Sequence, residues 1–301
     1  MIAKAAKKLE GVIPAPIVPL SEKGKVDFVL LEKQISYLIG SGVNGLFVSG
    51  TTGEGAYLAR SEKLDILKAV KEIAAGRVFL CAACIQPSTP QVLEELEETL
   101  KLEPDFVVAV TPFYFAVSQE AICRHFLAVA ERSPVPLIMY NIPSCTHNPM
   151  AVETIVELAQ ADNIAGLKDS SGDFVGFSRL LLAKAPRDFA WIMGEDYLDG
   201  PALMMGATGI VTGLSNAWAG FHVALYKAAR AGDRAGMMEN HAKINQLYGI
   251  HRVTGGKIIP VIKAAAAFFG RSSRWMKIPA LTISEEEALK VRKVLEGMNL
   301  L

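Results

Sequence analysis

Ile164-Ala165-Gly166-Leu167-Lys168-Asp169-Ser170-Ser171-Gly172 is the stretch on which the reading of this chain turns. An apolar run of strand length ends in a lysine, and an Asp-Ser-Ser-Gly turn closes it off. A lysine at the end of a buried strand has little water to solvate its ammonium, which lowers its pKa and leaves some neutral amine at working pH. A neutral amine attacks a ketone. The plainer reading is a solvated lysine at a strand edge, the common place for that residue. The rest of the sequence has to separate the two.

Working outward, strand-like runs recur at intervals of roughly 20 to 35 residues, each followed by a stretch with helical spacing, the signature of repeated βα units with a parallel sheet. They are residues 11–19, 45–49, 78–83, 106–110, 135–140, 164–168, 189–193 and 209–212. Helices are expected between them, among them 27–40 and 90–102. Ser61 and Ser118 read as helix caps, and Asn148-Pro149 places a proline in a first helical turn. Beyond the last strand, 218–231, 233–248, 257–269 and 284–296 read as helices. The pattern predicts a (β/α)8 TIM barrel over residues 1–225 with a C-terminal helical appendage over 226–301. An open doubly wound sheet would carry a Gly-x-Gly-x-x-Gly turn after its first strand, and Leu20-Ser-Glu-Lys-Gly24 has none.

Composition narrows the function. The 301 residues carry 31 basic and 31 acidic side chains, with no basic cluster to track phosphates, which argues against nucleic acid. Residues 1–10 have lysines but no apolar leader, and no later run reaches about 20 apolar residues, so a cytoplasmic protein without a membrane span is expected. Cys81, Cys84, Cys123 and Cys145 are too scattered for a disulfide framework. Cys81 and Cys84 share an apolar strand whose alternation sends their sulfurs to opposite faces, so buried free thiols are expected and no metal.

In a barrel the site lies at the carboxyl ends of the strands. The polar residues there are few: Gly50-Thr51-Thr52-Gly53-Glu54-Gly55, Thr111-Pro112-Phe113-Tyr114, Tyr140-Asn141-Ile142-Pro143-Ser144, Lys168 and Gly194-Glu195-Asp196. Each alone is an ordinary turn or core aromatic. Together, a lysine, a phenol on the neighbouring strand and a glycine-rich turn that holds a carboxylate are the parts of Schiff-base chemistry on a 2-keto acid. Glu54 and Asp169 read as orienting residues, while Trp218, Trp275 and Met204-Met205 read as packing.

These motifs resemble the dihydrodipicolinate synthase and N-acetylneuraminate lyase family, in its order and spacing, from about Gly11 to Gly213. The resemblance implies a barrel that assembles as a homotetramer or homodimer and a class I aldolase mechanism needing no cofactor. By position, Lys168 matches the Schiff-base lysine and Tyr140 the proton-shuttling tyrosine. Thr51 and Thr52 match the binders of the pyruvate carboxylate, with the Thr51 hydroxyl in the relay. Tyr114 matches the tyrosine that members donate across a subunit interface. Gly50, Cys145, His147, Gly194, Glu195 and Val211 complete the expected substrate-binding set.

Ser144-Cys145-Thr146-His147 departs from the Ser-Arg-Thr-Gly run of the synthases, whose arginine binds the carboxylate of aspartate semialdehyde. A cysteine makes no bidentate contact to a carboxylate. Arg60 and Lys63 do not match the histidines of the lysine effector site, so no lysine feedback is expected. The reading favoured on these grounds is reversible cleavage of a 2-keto-3-deoxy sugar acid or hydroxy-oxo acid to pyruvate and an aldehyde. Condensation of pyruvate with aspartate semialdehyde is the alternative, and a non-catalytic keto-acid-binding protein on the same scaffold is the alternative of another class.

Overall fold

The structure, a computed structural model, describes residues 8–186 and 188–301; residues 1–7 of the lysine-bearing N-terminal segment lie outside them. Eight parallel strands, β1 Gly11–Pro14, β2 Gly45–Val48, β3 Phe79–Cys84, β4 Phe106–Val110, β5 Leu137–Asn141, β6 Ile164–Asp169, β7 Ala190–Met193 and β8 Gly209–Thr212, form one sheet in the order β1-β8-β7-β6-β5-β4-β3-β2. The helices in chain order are α1 Phe28–Gly40, α2 Arg60–Ala74, α3 Thr89–Leu100, α4 Gln119–Arg132, α5 Pro143–Thr146, α6 Val152–Leu158, α7 Phe174–Leu181 and α8 Asp199–Met204. They continue as α9 Gly220–Ala231, α10 Arg234–Leu247, α11 Gly249–Arg252, α12 Ile259–Phe268 and α13 Glu285–Gly297. This is the expected TIM barrel with C-terminal helices.

One residue closes the circle. Asn44 donates its backbone N–H to the Val12 carbonyl at 2.9 Å, and its Oδ1 accepts from the Val12 N–H, also at 2.9 Å, bridging β2 to β1. Its side chain fills the space over Gly11, where a Cβ would come within 2.1 Å of Oδ1, and Gly11 has φ +99°. A glycine is therefore required at the seam.

Alternation along the strands sorts the core into two layers. Ile13, Phe47, Cys81, Val108, Tyr140, Ile192 and Val211 fill the barrel interior, while Leu46, Val48, Cys84, Val107, Met139 and Leu167 face the helices. Cys81 and Cys84 are thus buried free thiols on opposite faces, as expected, and burial pushes both thiols up. α9 runs unbroken through residue 225, the expected end of the barrel, and Ile244, Val261, Val291 and Leu295 of the C-terminal helices share the helix-side core with the strands.

Several local readings need correction. The first strand stops at Pro14 rather than 19, because Pro14, Pro16 and Pro19 lack the N–H a ladder needs. Ser61 does not cap its helix. α2 starts one residue earlier behind Ala59, whose N–H donates to Glu62 Oε2 at 2.9 Å. Pro149 opens no helix either: α6 begins at Val152, and Asn148 instead holds the loop after β4, donating to Pro112 O and Phe115 O and accepting from Val117 N–H. Ser118 does cap α4, accepting from Ala121 N–H at 3.2 Å. Met204 and Met205 are exposed at 54% and 43%, since α8 turns them outward. No helix among the described residues is long and apolar enough to cross a membrane.

Candidate active site

β5 and β6 pair Tyr140 with Lys168 and Asn141 with Asp169. The pleat sends the first pair into the barrel and the second towards the helices, so one register delivers two functions. Lys168 is 4% exposed, and its Nζ stands 3.8 Å from the centre of the Tyr140 ring and 4.4 Å from that of Phe47. No carboxylate pairs with it among the described residues. The two rings meet edge-on, 5.6 Å between centres, so the amine sits over aromatic faces rather than in water. Behind it, Asn141 Nδ2 donates to Asp169 Oδ2 at 2.8 Å, and Asp169 Oδ1 accepts from Ser171 N–H and Oγ–H. Asp169 therefore fixes the turn after the strand, as expected. Burial pushes its carboxyl up, against those three donors.

The phenol of Tyr140 meets Thr51 Oγ1 at 3.4 Å. Thr51 belongs to the turn after β2, which closes on itself through Glu54 N–H to Thr51 O and Gly55 N–H to Gly50 O, both 3.0 Å. The N–H groups of Thr51 and Thr52 have no partner among the described residues and are free to receive an anion. The turn is anchored from the far end of the chain. Lys263 of α12 forms a fully buried ion pair with Glu54 Oε1, Lys277 N–H donates to Oε2 at 2.7 Å, and Lys263 also reaches Trp275 O at 2.7 Å. The orienting role read for Glu54 holds, and sequence reasoning missed Lys263. Its signal is faint: a lone lysine inside Ile259-Pro-Val-Ile-Lys-Ala-Ala-Ala-Ala267.

Gly194 leaves room for the lysine. A Cβ there would lie 2.9 Å from Lys168 Cε and 2.3 Å from Ser170 Oγ. Against the Thr51 turn opens a cavity of about 400 Å³ lined by Thr51, Tyr57, Ile85, Phe113, Cys145, Thr146 and Ile259 among others; Lys168 and Tyr140 are not part of its wall and reach it through Thr51. Cys145 thus reaches the pocket wall, whereas His147, in a left-handed conformation with φ +57° two residues on, does not line it. Thr146 is held by Thr111, whose Oγ1 donates at 2.9 Å. Val211 packs inside the barrel. Glu195 is half-buried at the mouth, 3.5 Å from the Tyr248 hydroxyl that donates to it, and burial together with Asp196 raises its pKa. Tyr114 is apart from the rest, 83% exposed with φ +80°, its ring edge-on to Phe115.

The strand order, the lysine-phenol-threonine line and the anion turn agree with the motif resemblance, and a model of the dihydrodipicolinate synthetase family matches residues 8–298. The chain belongs to that family. It is therefore an enzyme of the class I aldolase type. Among relatives, it is 34% identical to the 4-hydroxy-tetrahydrodipicolinate synthase of Laribacter hongkongensis over 97% of this chain and 100% of that one. Its structure is similar to dihydrodipicolinate synthase from Aquifex aeolicus, TM-score 0.90 at 29% identity, covering 97% and 99% of the two chains. It is likewise similar to the chloride-inhibited synthase of Acinetobacter baumannii in complex with pyruvate, TM-score 0.91 at 27% identity, covering 98% and 100%.

Proposed function

We propose that Lys168 attacks the keto carbon of pyruvate and holds it as an imine, whose enamine then joins an aldehyde. The observation that carries this reading is the Lys168 amine, buried over two aromatic faces at a strand end and free of any carboxylate partner among the described residues. The Thr51 and Thr52 amides receive the pyruvate carboxylate and turn its keto carbon to the amine. Tyr140, linked to Thr51, carries protons to and from the carbinolamine oxygen as water leaves.

Aspartate semialdehyde is the better-supported partner, because the curated relatives are named 4-hydroxy-tetrahydrodipicolinate synthases. The pocket wall favours a second reading: it presents Cys145 where an arginine would grip that substrate's carboxylate, which suits cleavage of a 2-keto-3-deoxy acid. For the distal part of either substrate we assign Cys145, which lines the cavity, and Glu195, while Val211 lies in the barrel interior. The assembly we infer is a homodimer or homotetramer in the cytoplasm, with Tyr114 entering a neighbour's relay.

Borohydride reduction in the presence of pyruvate, followed by intact mass, tests the core of the proposal. One pyruvyl adduct on the wild type and none on Lys168→Ala is expected. A folded wild type without the adduct overturns the Schiff-base reading. Parallel assays of condensation with aspartate semialdehyde and cleavage of 2-keto-3-deoxygluconate then separate the two partners.

A further inference from the structure

Beyond the lysine, the carboxyl ends of β7 and β8 carry a second group of titratable side chains that the imine chemistry does not use. Asp196 lies just past β7, Asp199 opens α8, Thr212 ends β8 and His222 stands in the first turn of α9. His222 Nε2 is 2.9 Å from Asp196 Oδ1 and 3.8 Å from Asp199 Oδ2. One donor atom from each of these three side chains lies within 4.8 Å of the other two. The Thr212 hydroxyl donates to the same Asp196 oxygen and sits 3.1 Å from His222 Nε2.

The anomaly is Asp199. It is 0% exposed, and neither of its oxygens has a hydrogen-bond partner. Its nearest charged neighbours are further carboxylates, Asp196 and Glu195, which together with burial push its carboxyl well above the usual range. Among the described residues no lysine or arginine comes within 4 Å of Asp196 or Asp199; His222 is the imidazole in contact with them, and His251 and Tyr248 also face the charge of Asp196. Buried carboxylates are ordinarily paired, hydrogen-bonded or bound to a cation. This one has no hydrogen bond, and its one facing cation-forming group is the His222 imidazole at 3.8 Å.

The 2.9 and 3.8 Å separations from His222 Nε2 lie close to those of the third arrangement, a bound cation. Bonds of about 2.1 Å to a first-row divalent cation place neighbouring donors roughly 3.0 to 3.4 Å apart and opposite ones about 4.2 Å apart. Two carboxylates, an imidazole and a hydroxyl are a borderline-hard donor set, the kind Mn²⁺ and Zn²⁺ accept and alkali ions hold only loosely. We propose that Asp196, Asp199 and His222, with the Thr212 hydroxyl beside them, bind one divalent first-row cation. The cation neutralises the carboxylates and joins the ends of β7 and β8 to α8 and α9, one residue along the chain from Glu195 at the mouth. Its place is structural, since the imine forms on Lys168 without it.

The test takes the full chain, stripped with a chelator, and titrates it with Mn²⁺ alone while the sharp electron paramagnetic resonance signal of free Mn²⁺ is followed. One Mn²⁺ per chain is expected for the wild type, at least tenfold weaker binding for Asp199→Asn and for His222→Gln, and a higher unfolding temperature with Mn²⁺ only in the wild type. Borohydride trapping of pyruvate reports that each variant is folded. Should the variants not fold, pulsed resonance on the Mn²⁺-loaded wild type decides, because coupling to a single bound imidazole nitrogen is expected. No binding by the wild type, undiminished binding by folded variants, or absent nitrogen coupling each overturns the site.

Discussion

The role proposed for Lys168 rests on its neighbours rather than on its own chemistry. Tyr140 shares its rung, lends it a ring face and connects through its hydroxyl to Thr51. Removing only that hydroxyl, in Tyr140→Phe, keeps the ring and the packing and lowers kcat by about 10²- to 10⁴-fold, with the circular dichroism spectrum unchanged. Stopped-flow absorbance and product assays check it, and wild-type rates would remove the relay. Gly194 makes a different demand. In Gly194→Ala the new methyl group would stand 2.9 Å from Lys168 Cε, so the lysine must shift. Relieving the contact moves the amine by less than about 1 Å, the displacement that costs about 100-fold, so a fall in kcat of up to about 100-fold is expected, read in the same assay, and an unaltered rate would show that the lysine has room to spare. The positions of Lys168 and Tyr140 were legible in the sequence because each stands at the end of an apolar run, and that of Thr51 because it lies in the glycine-rich turn that follows one. Cys145 and His147 were legible only as loop residues, and the left-handed turn at His147 that separates their fates has no mark in the residue types.

At the level of elements, the turn after β2 and helix α12 form a unit although 209 positions separate Glu54 from Lys263. Lys263→Met leaves Glu54 buried and unpaired, which costs about 3 to 5 kcal/mol. The double variant with Glu54→Gln recovers part of that loss. Urea unfolding of the single and double variants measures the difference, and the pyruvate KM rises in both because the amides of Thr51 and Thr52 lose their anchor. Helix α4 supplies a second case. His125 Nε2–H donates to Val110 O at 3.1 Å, its Nδ1 accepts from Thr89 Oγ1 at 2.8 Å, and burial pushes its pKa down to about 4 from 6.5. The unfolded chain takes up this proton first as pH falls. Stability is therefore full above pH 6.5 and declines towards pH 4 by about 3 kcal/mol in total. His125→Gln should flatten that limb of the stability profile. The pairing of Lys263 with Glu54 was hidden from the sequence, since no local pattern links partners so far apart, whereas the strands at 106–110 and 209–212 were read to the residue from their apolar runs.

For the molecule as a whole, Tyr114 and Phe115 stand out, exposed at 83% and 74% in the loop after β4, at the end of the barrel where β6 presents Lys168. If Tyr114 completes a neighbour's relay, Tyr114→Phe and Lys168→Ala chains, each inactive alone, regain activity when mixed and reassembled. Sedimentation of the mixture checks assembly, and a mixture that assembles yet stays inactive would confine Tyr114 to its own subunit. The βα rhythm made the barrel legible, but the C-terminal helices read as an appendage and are more than that. Arg271 donates to Gln34 Oε1 and to the Asn216 and Ala217 carbonyls, tying α1 to the end of β8, and α12 grips the anion turn. This has a consequence during synthesis on the ribosome. Every group assigned to the pyruvate imine has been translated by residue 168, yet Glu54 waits for a partner encoded nearly a hundred codons later. On the roles proposed above, a nascent chain has its lysine but leaves the Glu54 turn unbraced, so a chain ended before Lys263 is expected to lack a fixed carboxylate cradle.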